Sequence, residues 1–491
     1  MPRQARHDEK KKVLRHFREG GNLKSHAVPV VACSRHFRPA ISGRNLIKQI
    51  MRDAREGGHD VKKINRGKLK HISLFCLLIF YFQNLMMNIK LRLAVMNFLQ
   101  YAVWGAWLIS LGTYLGGTLH FTGLQTGSFY ATMGIASLVM PAVMGIIADR
   151  WIAAQKMLGI CHLAAAVFMI LAVKHTDYES LYTFVLLSVL FYMPTIALSN
   201  SVAYNALSVA GLDTVKHFPP IRVFGTVGFI AAMWAVDLLG MRPTPRQLYL
   251  SAGLGIVLGL YSFTLPRCAV HKNIQKQSWV DTFGLRAFSL FKQKKMAVFF
   301  IFSMLLGMSL QITNGFADGY LTDYFGKIAK YQNTFGVQHS TILISLSQMS
   351  ETLCILLIPF FLKRFGIKIV MLISMLAWVF RFGLLGAGNP GAGVWMLVLS
   401  MIVYGVAFDF FNISGSLFVD KETDSSLRSS AQGVFMIMTN GLGAFIGSYA
   451  AGWVVDTVQM PNSWFVFAGF AFVVAVLFVF IFKYKHQPNT A

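Results

Sequence analysis

Long apolar stretches separated by short polar turns make up the chain from Met87 onward. Twelve of them approach the ~20 residues that a helix needs to cross a bilayer. Their approximate positions are 92–117, 122–148, 153–173, 180–208, 219–239, 247–266, 296–323, 339–362, 367–387, 393–419, 427–455 and 461–483. Several contain Gly or Pro, which membrane helices tolerate because neighbouring groups satisfy the freed backbone atoms. The pattern predicts an all-α polytopic membrane protein with twelve transmembrane helices.

The composition agrees with this pattern and excludes a soluble globular protein. Hydrophobic residues make up 55% of the 491 residues and charged residues only 13%, which is too few charges for a water-facing surface. The five cysteines show no metal-ligand spacing. No Gly-x-x-x-x-Gly-Lys-Ser/Thr loop, His/Glu metal pair or nucleophile elbow is present. We therefore expect no enzyme activity and no cofactor, and any transport must draw on an ion or solute gradient.

The first 86 residues differ from the rest. They hold 19 Lys and Arg residues against 6 Asp and Glu residues, a large part of the net charge of +25. The remaining positive charge lies in short loops, so no nucleic acid partner is expected. We predict that residues 1–86 are a basic extension, disordered or absent from the native protein, because Met87 begins a basic lead into a membrane helix. The alternative is a cytoplasmic tail that contacts anionic lipid headgroups.

Positive residues between the spans lie mainly on one side of the predicted membrane. With the amino end inside, the outer side holds only Lys174, Arg242, Arg246, Lys327 and Lys330. Short loops rich in Lys and Arg stay in the cytoplasm. We therefore expect both termini to be cytoplasmic.

The spans divide into two halves of six. A polar, basic linker at 267–295 separates residues 87–266 from residues 296–491. The turn from Gly145 to Trp151 follows the second span of the first half, and the stretch from Pro359 to Phe365 follows the second span of the other. The echo predicts two pseudo-symmetric six-helix halves with a site between them at mid-membrane.

The turn after the second span has a possible gating role. We expect Gly145 to permit close helix approach, and Asp149 and Arg150 to pair with charges or helix ends of the other half. Such pairing would stabilise one access state. The alternative is an ordinary charged turn.

Two polar residues stand in the middle of the eighth span. Gln348 and Glu351 are three residues apart and so share one helix face. A carboxylate at mid-bilayer costs about 2.5–3.5 kcal/mol or more, so it should face protein or water. The pair predicts a site for a polar, hydrogen-bonding solute, and the alternative is a polar contact between helices.

Spans seven and ten carry similar candidates. Gln311 and Asn314 share a helix face, and their amides offer both donors and acceptors to a polar solute. Helix–helix hydrogen bonding is the alternative. Tyr404, Phe408 and Asp409 combine an aromatic face, which can stack a planar group, with a carboxylate that can accept hydrogen bonds from hydroxyls. Phe408 could instead serve only in packing.

Five stretches together carry a family resemblance. They are Phe218 to Thr226, Phe302 to Gly307, Leu310 to Asn314, Ser347 to Thr352, and Ser400 to Gly415. With the twelve spans and the Gly-x-x-x-Asp-Arg turn, they resemble the nucleoside–proton symporter family of the major facilitator superfamily, the bacterial nucleoside permeases. The resemblance runs from Met87 to about His486. It implies the major facilitator fold and nucleoside import by proton symport, with alternating access between the halves. It also implies a monomer in the inner membrane of a bacterium.

The resemblance also implies that Arg222, Thr226 and Phe229 contribute to the nucleoside pocket. They share one face of the fifth span. An arginine offers a planar fork of donors, although Arg222 could instead be a boundary residue facing headgroups. We expect the base to stack on aromatic residues such as Phe229 and Phe408.

The expected polar contacts follow the same scheme. Gln311 and Asn314 would read the base edge, while Gln348, Glu351 and Asp409 would meet the ribose. Because nucleosides are uncharged, proton coupling needs a titratable group, and we expect Glu351 or Asp409 to supply it.

Other readings remain open. The solute could be a sugar, a nucleobase or a drug, or the protein could be a membrane sensor that does not transport. A sensor would need an output domain, for which the linker is too short. Among the remaining polar residues, Arg381 is expected to pair with an acid on another helix. His162 is either a hydrogen-bonded structural residue or a proton carrier.

Overall fold

The computed structural model describes residues 88–268, 285–424 and 427–484, without the side chains of Asp149, Leu285, Arg286 and Ser429. The predicted extension at 1–86, most of the linker and the last residues lie outside these ranges. The regular elements within the ranges are all helical.

Six helices form the N-terminal half. They are α1 (Ile89–Gly105), α2 (Gly123–Arg150), α3 (Ala154–Ala172), α4 (Tyr178–Val209), α5 (Thr214–Leu238) and α6 (Arg246–Ser262). A turn and a π-helical segment, Thr113–Thr118, continue α1 across the membrane. Thr122 caps α2 through a capping box with Gln125, which satisfies backbone donors that the first turn leaves unpaired.

Six more helices form the C-terminal half. They are α7 (Lys294–Gly319), α8 (340–365), α9 (367–387), α10 (Val394–Glu422), α11 (428–458) and α12 (Asn462–Ile481). The continuous helical run Ser340–Ala387 divides into α8 and α9 at Gly366, whose φ of 74° is accessible to glycine at little cost. The π-helical segment Ile437–Gly443 forms the middle of α11.

The twelve helices correspond one to one with the predicted spans. By length and hydropathy alone, nine helices of the described ranges qualify as membrane-spanning. The difference has simple causes. The run Ser340–Ala387 holds two spans, while α1 and α6 are each only 17 residues long. The predicted all-α fold with two six-helix halves is confirmed.

The halves meet along two symmetric helix pairs. The second helix of each half packs on the fifth helix of the other, which pairs α2 with α11 and α8 with α5. Glycines permit close packing of α2 on α11. Gly127 lies against the backbone of Ser448, and Gly134 lies against the backbone of Gly441. Small residues bring membrane helices together in this way.

Gly145 does not take part in this packing. No atom lies within 4 Å of the position that a Cβ on Gly145 would occupy. The close approach that the sequence predicts there is therefore absent from this arrangement. The reason is that the contacts between α2 and α11 lie toward the start of α2, at Gly123, Gly127 and Gly134.

Candidate functional site

Asp237, near the end of α5, caps a helix of the opposite half. It is 5% exposed and accepts from the Thr341 hydroxyl and, at 3.4 Å, from the Ile342 backbone N–H. The Nδ1 atom of His339 lies 2.8 Å from the same carboxylate. The first N–H groups of a helix have no partner within it and carry a partial positive charge. The carboxylate thus stabilises the start of α8 across the boundary between the halves.

Asp456, near the end of α11, makes the reciprocal contact. Its carboxylate accepts from the backbone N–H groups of Gly123 and Leu124, at 2.5 Å and 2.7 Å. These two residues open α2. Each half therefore caps the second helix of the other with an aspartate from its own fifth helix.

Further polar contacts join the halves at the same end. The hydroxyl of Thr113 donates across the boundary to Asp318 at 2.5 Å, and within the C-terminal half Ser340 donates to the same carboxylate. Arg242 donates to the Gln338 carbonyl and to the Ser340 hydroxyl at 2.5 Å. We call this the closed end.

We call the opposite end, where α2 finishes at Arg150, the open end. No hydrogen bond or ion pair between two described residues is seen to join the halves there. The predicted pairing of Arg150 with the other half is absent from this arrangement for that reason, and the Asp149 side chain lies outside the described atoms. Arg364, at the end of α8, is exposed.

Between the two ends, in the N-terminal half, aromatic residues of α1 and α5 lie close to Arg222 or to one another. The Arg222 guanidinium lies 3.9 Å from the centroid of the Tyr101 ring, a cation–π contact. Trp104 meets Phe229 edge-on at 6.3 Å between centroids. Thr226 is half-buried, one turn after Arg222 on α5.

Glu351 faces this group from the C-terminal half. It interacts electrostatically with Arg222 and with Tyr101. Glu351 follows the capped start of α8 by ten residues, a rise of about 15 Å along the helix. The charged pair therefore spans the halves well below the closed end.

In the C-terminal half, two aromatic rings, those of Tyr404 and Phe408, lie near the carboxylates of Glu351 and Asp409. Tyr404 and Phe408 stack at 5.9 Å between centroids and 8° between planes. The Tyr404 hydroxyl meets Gln348 and lies in the field of Glu351 and Asp409. Asp409 is 4% exposed, and its Oδ2 atom has no hydrogen-bond partner among the described residues. A buried acceptor without a partner is costly, so it suits a proton or a ligand hydroxyl.

The pair on α7 stands apart from this group. Gln311 is buried, and its Oε1 atom has no hydrogen-bond partner within the described ranges. Asn314 is half-buried. Their neighbour Thr313 lies 3.5 Å from Nε of Arg381, and Arg381 in turn contacts Tyr404. Arg381 therefore connects α7 indirectly to Tyr404 and its neighbours.

The contacts of Arg381 differ from those that the sequence predicts. Arg381 has no acidic partner among the described residues. Its guanidinium lies 4.5 Å from the Tyr404 ring centroid and donates to the Ser400 carbonyl, so the prediction of an acid partner is wrong.

His162 is fully buried, with Nε2 at 2.8 Å from the Gln100 side chain, as a structural histidine would be. His162 also lines a small cavity with room for about one water molecule, and its Nδ1 has no hydrogen-bond partner among the described residues.

The sequence reasoning missed Tyr101, Asp237 and Asp456. Tyr101 lies among many aromatic residues and nothing in its spacing distinguishes it. The two aspartates carried a usable signal, since each lies within two residues of the end of the fifth helix of its half.

Known transport proteins are similar to this chain in sequence. A family model described as Nucleoside H+ symporter matches residues 87–487. The xanthosine permease of Escherichia coli (strain K12) is 51% identical over 410 residues, which covers 82% of this chain and 98% of the permease. Nucleoside permease NupG of the same strain is 48% identical over 407 residues, covering 82% of this chain and 97% of NupG.

Solved structures agree. A crystal structure of nucleoside transporter NupG superimposes on this chain with a TM-score of 0.77 at 48% identity. The match covers 81% of this chain and 100% of the NupG chain. The POT family transporter PepTSo, at 12% identity and a TM-score of 0.60 over 80% of this chain and 97% of its own, shares the fold alone. The chain belongs to the nucleoside–proton symporter family of the major facilitator superfamily.

Proposed function

We propose that this protein imports nucleosides together with protons across a bacterial inner membrane. The observation that carries the proposal is that Arg222 in one half and Glu351 in the other are near enough to interact electrostatically, beside stacked aromatic rings and below a closed end. A planar, uncharged solute with many hydroxyls fits such a site, because rings stack its base and carboxylates accept from its ribose.

The proposed pocket uses residues of both halves. The base stacks on Phe229 and Phe408, and Arg222 and Thr226 contact the nucleoside from α5. Gln311 and Asn314 supply amides for the base edge; the unpaired Oε1 of Gln311 supports this role. The remaining contacts, to the ribose, come from Gln348, Glu351, Tyr404 and Asp409.

The proton acts on the contact between the halves. When Glu351 is ionised it attracts Arg222 across the boundary, and when it is protonated this attraction is lost. A ligand shifts a conformational equilibrium only through its different affinity for the two states. Because this electrostatic attraction acts between residues of the two halves, proton binding at Glu351 changes the relative free energies of their arrangements. Asp409, which like Glu351 interacts electrostatically with Tyr404, is the second proton-binding candidate.

The closed end faces outward in this proposal, and both termini are cytoplasmic. The structure then corresponds to an inward-open carrier, a monomer without a cofactor, driven by the proton gradient. During reorientation the reciprocal caps at Asp237 and Asp456 separate, and the Arg150 end closes. Gly145, Asp149 and Arg150 would then come into contact with the other half.

Uptake measurements test the substrate class. Cells lacking their own nucleoside carriers would express the protein and receive labelled uridine, adenosine and xanthosine, with and without a protonophore. We expect uptake of at least one nucleoside, abolished by the protonophore. Uptake of labelled sugars or nucleobases without nucleosides would instead support a carrier for another polar solute. A complete absence of uptake would contradict transport itself and favour a sensor.

A further inference from the structure

Arg381 is a buried cation without an acidic partner in the described part of the chain. It lies on α9 and is 1% exposed. One terminal nitrogen, Nη1, donates to the Ser400 carbonyl at 2.7 Å and lies 3.4 Å from the Ser347 hydroxyl. A buried charge that lacks a counter-ion is costly unless its surroundings compensate it. Its compensation here comes from polar groups and one aromatic ring.

Those polar groups belong to the three helices that carry the C-terminal side of the candidate pocket. Thr313 on α7 lies between Gln311 and Asn314. Ser347 on α8 directly precedes Gln348. The third group, the Ser400 carbonyl, lies one turn before Tyr404 on α10. A single guanidinium thus connects α7, α8 and α10 from behind the pocket, which its rigid fork of donors allows.

The aromatic ring belongs to Tyr404. The guanidinium carbon of Arg381 lies 4.5 Å from its centroid, and Trp378 meets the same ring edge-on at 6.0 Å. Phe408 stacks parallel to Tyr404, and the Tyr404 hydroxyl meets Gln348. Cation–π contacts strengthen when the cation is desolvated, as Arg381 is. The ring orientation on which Phe408 and Gln348 depend is therefore set from the Arg381 side.

We propose that Arg381 is a positioning residue for nucleoside binding: it holds Tyr404, and through it Phe408 and Gln348, in the binding geometry without touching the substrate. The proposal rests on nucleoside transport as the function. It assigns to Arg381 an effect on the KM for nucleoside, transmitted by Tyr404. A residue needed only for folding would change the amount of protein instead.

The test compares Arg381→Met with Arg364→Met. Both arginines lie over an aromatic ring, since Arg364 is 5.7 Å from the centroid of Phe365. Arg364 is exposed at the open end and serves as the control. Initial rates of nucleoside uptake would be normalised to folded protein in the membrane. We expect Arg381→Met to raise KM about tenfold or more with a smaller change in maximal rate, and Arg364→Met to leave KM near wild type.

A double-mutant cycle identifies the route of the effect. In a Tyr404→Leu background, Arg381→Met should raise KM no further, because the ring that it positions is gone. Arg381→Lys keeps the charge but loses the planar fork, so its KM should fall between wild type and Arg381→Met. If Arg381→Met fails to fold, the lysine variant carries the same cycle.

An unchanged KM, or effects that add fully in the cycle, would overturn the proposal. Failure of the proposed function has a different signature, because the wild-type protein itself would then show no nucleoside uptake.

Discussion

Asp237 and Asp456 occupy matching positions in the two halves, and each caps the second helix of the other half. Asp237 accepts from the first turn of α8, and Asp456 accepts from the N–H groups that open α2. A helix start is most stable when a side-chain oxygen pairs with its free donors, and losing such a cap costs about 0.5–2 kcal/mol. Because both caps cross the boundary, this free energy belongs to one arrangement of the halves.

Removing a cap should therefore open the closed end. We expect Asp237→Ala and Asp456→Ala each to shift the population toward the other arrangement by roughly 3- to 30-fold, and the double variant to shift it further. Asp237 should have the larger effect because it is buried while Asp456 is exposed. The measurement is labelling of Ser345→Cys from outside by an impermeant maleimide, since Ser345 is fully buried one turn past the cap.

Asp213→Ala is the matched control for this experiment. Asp213 caps α5 within its own half by accepting from Val215 N–H, so its loss should leave the labelling rate unchanged. Equal labelling of the Asp213 and Asp237 variants would show that the reciprocal caps do not hold the closed end.

A bulky residue at Gly145 should block transport without disturbing the arrangement described here. Nothing lies within 4 Å of its Cβ position, so Gly145→Leu should fold normally. If the Arg150 end closes during the cycle, the new side chain would obstruct it, and we expect uptake to fall tenfold or more. Gly253→Leu on α6, equally free of neighbours, should transport normally. Wild-type uptake by Gly145→Leu would exclude a close approach at this position.

Loss of the stacking ring should weaken nucleoside binding. Base stacking on an aromatic side chain contributes about 1–3 kcal/mol, so Phe408→Leu should raise KM by roughly 5- to 150-fold. Phe480→Leu, which changes a phenylalanine that is 72% exposed on α12, should leave KM unchanged. Concentration-dependent uptake of the best substrate provides the comparison, and equal KM values for the two variants would remove Phe408 from the pocket.

The hydrophobic pattern predicted the architecture well because membrane helices depend on length and apolarity. The predicted span 180–208 corresponds to Tyr178–Val209, within two residues at each end. The first predicted span is less regular than expected. Its helix ends at Gly105 and resumes only as the π-helical segment Thr113–Thr118, an irregularity that apolar residues do not reveal.

The site was predictable only one helix at a time. Spacing indicated correctly that Gln348 and Glu351 share a face, because helix geometry decides that. That Arg222 faces Glu351, that Tyr404 lies over Arg381 and that Asp237 caps α8 depend on how separate helices pack. Those relationships follow from tertiary structure, and the periodicity of a single span carries no information about them.

Proton-driven accumulation by carboxylate variants shows whether Glu351 or Asp409 couples nucleoside transport to the proton gradient. Purified protein in liposomes would receive an inward proton gradient and labelled nucleoside, and accumulation would be compared with exchange at equal concentrations. Wild type and the Asp213→Asn control should concentrate the nucleoside, and a protonophore should abolish this. We expect Glu351→Gln, Asp409→Asn or both to retain exchange while losing accumulation, because an amide cannot take up the proton. Accumulation against a gradient by both variants would contradict the account.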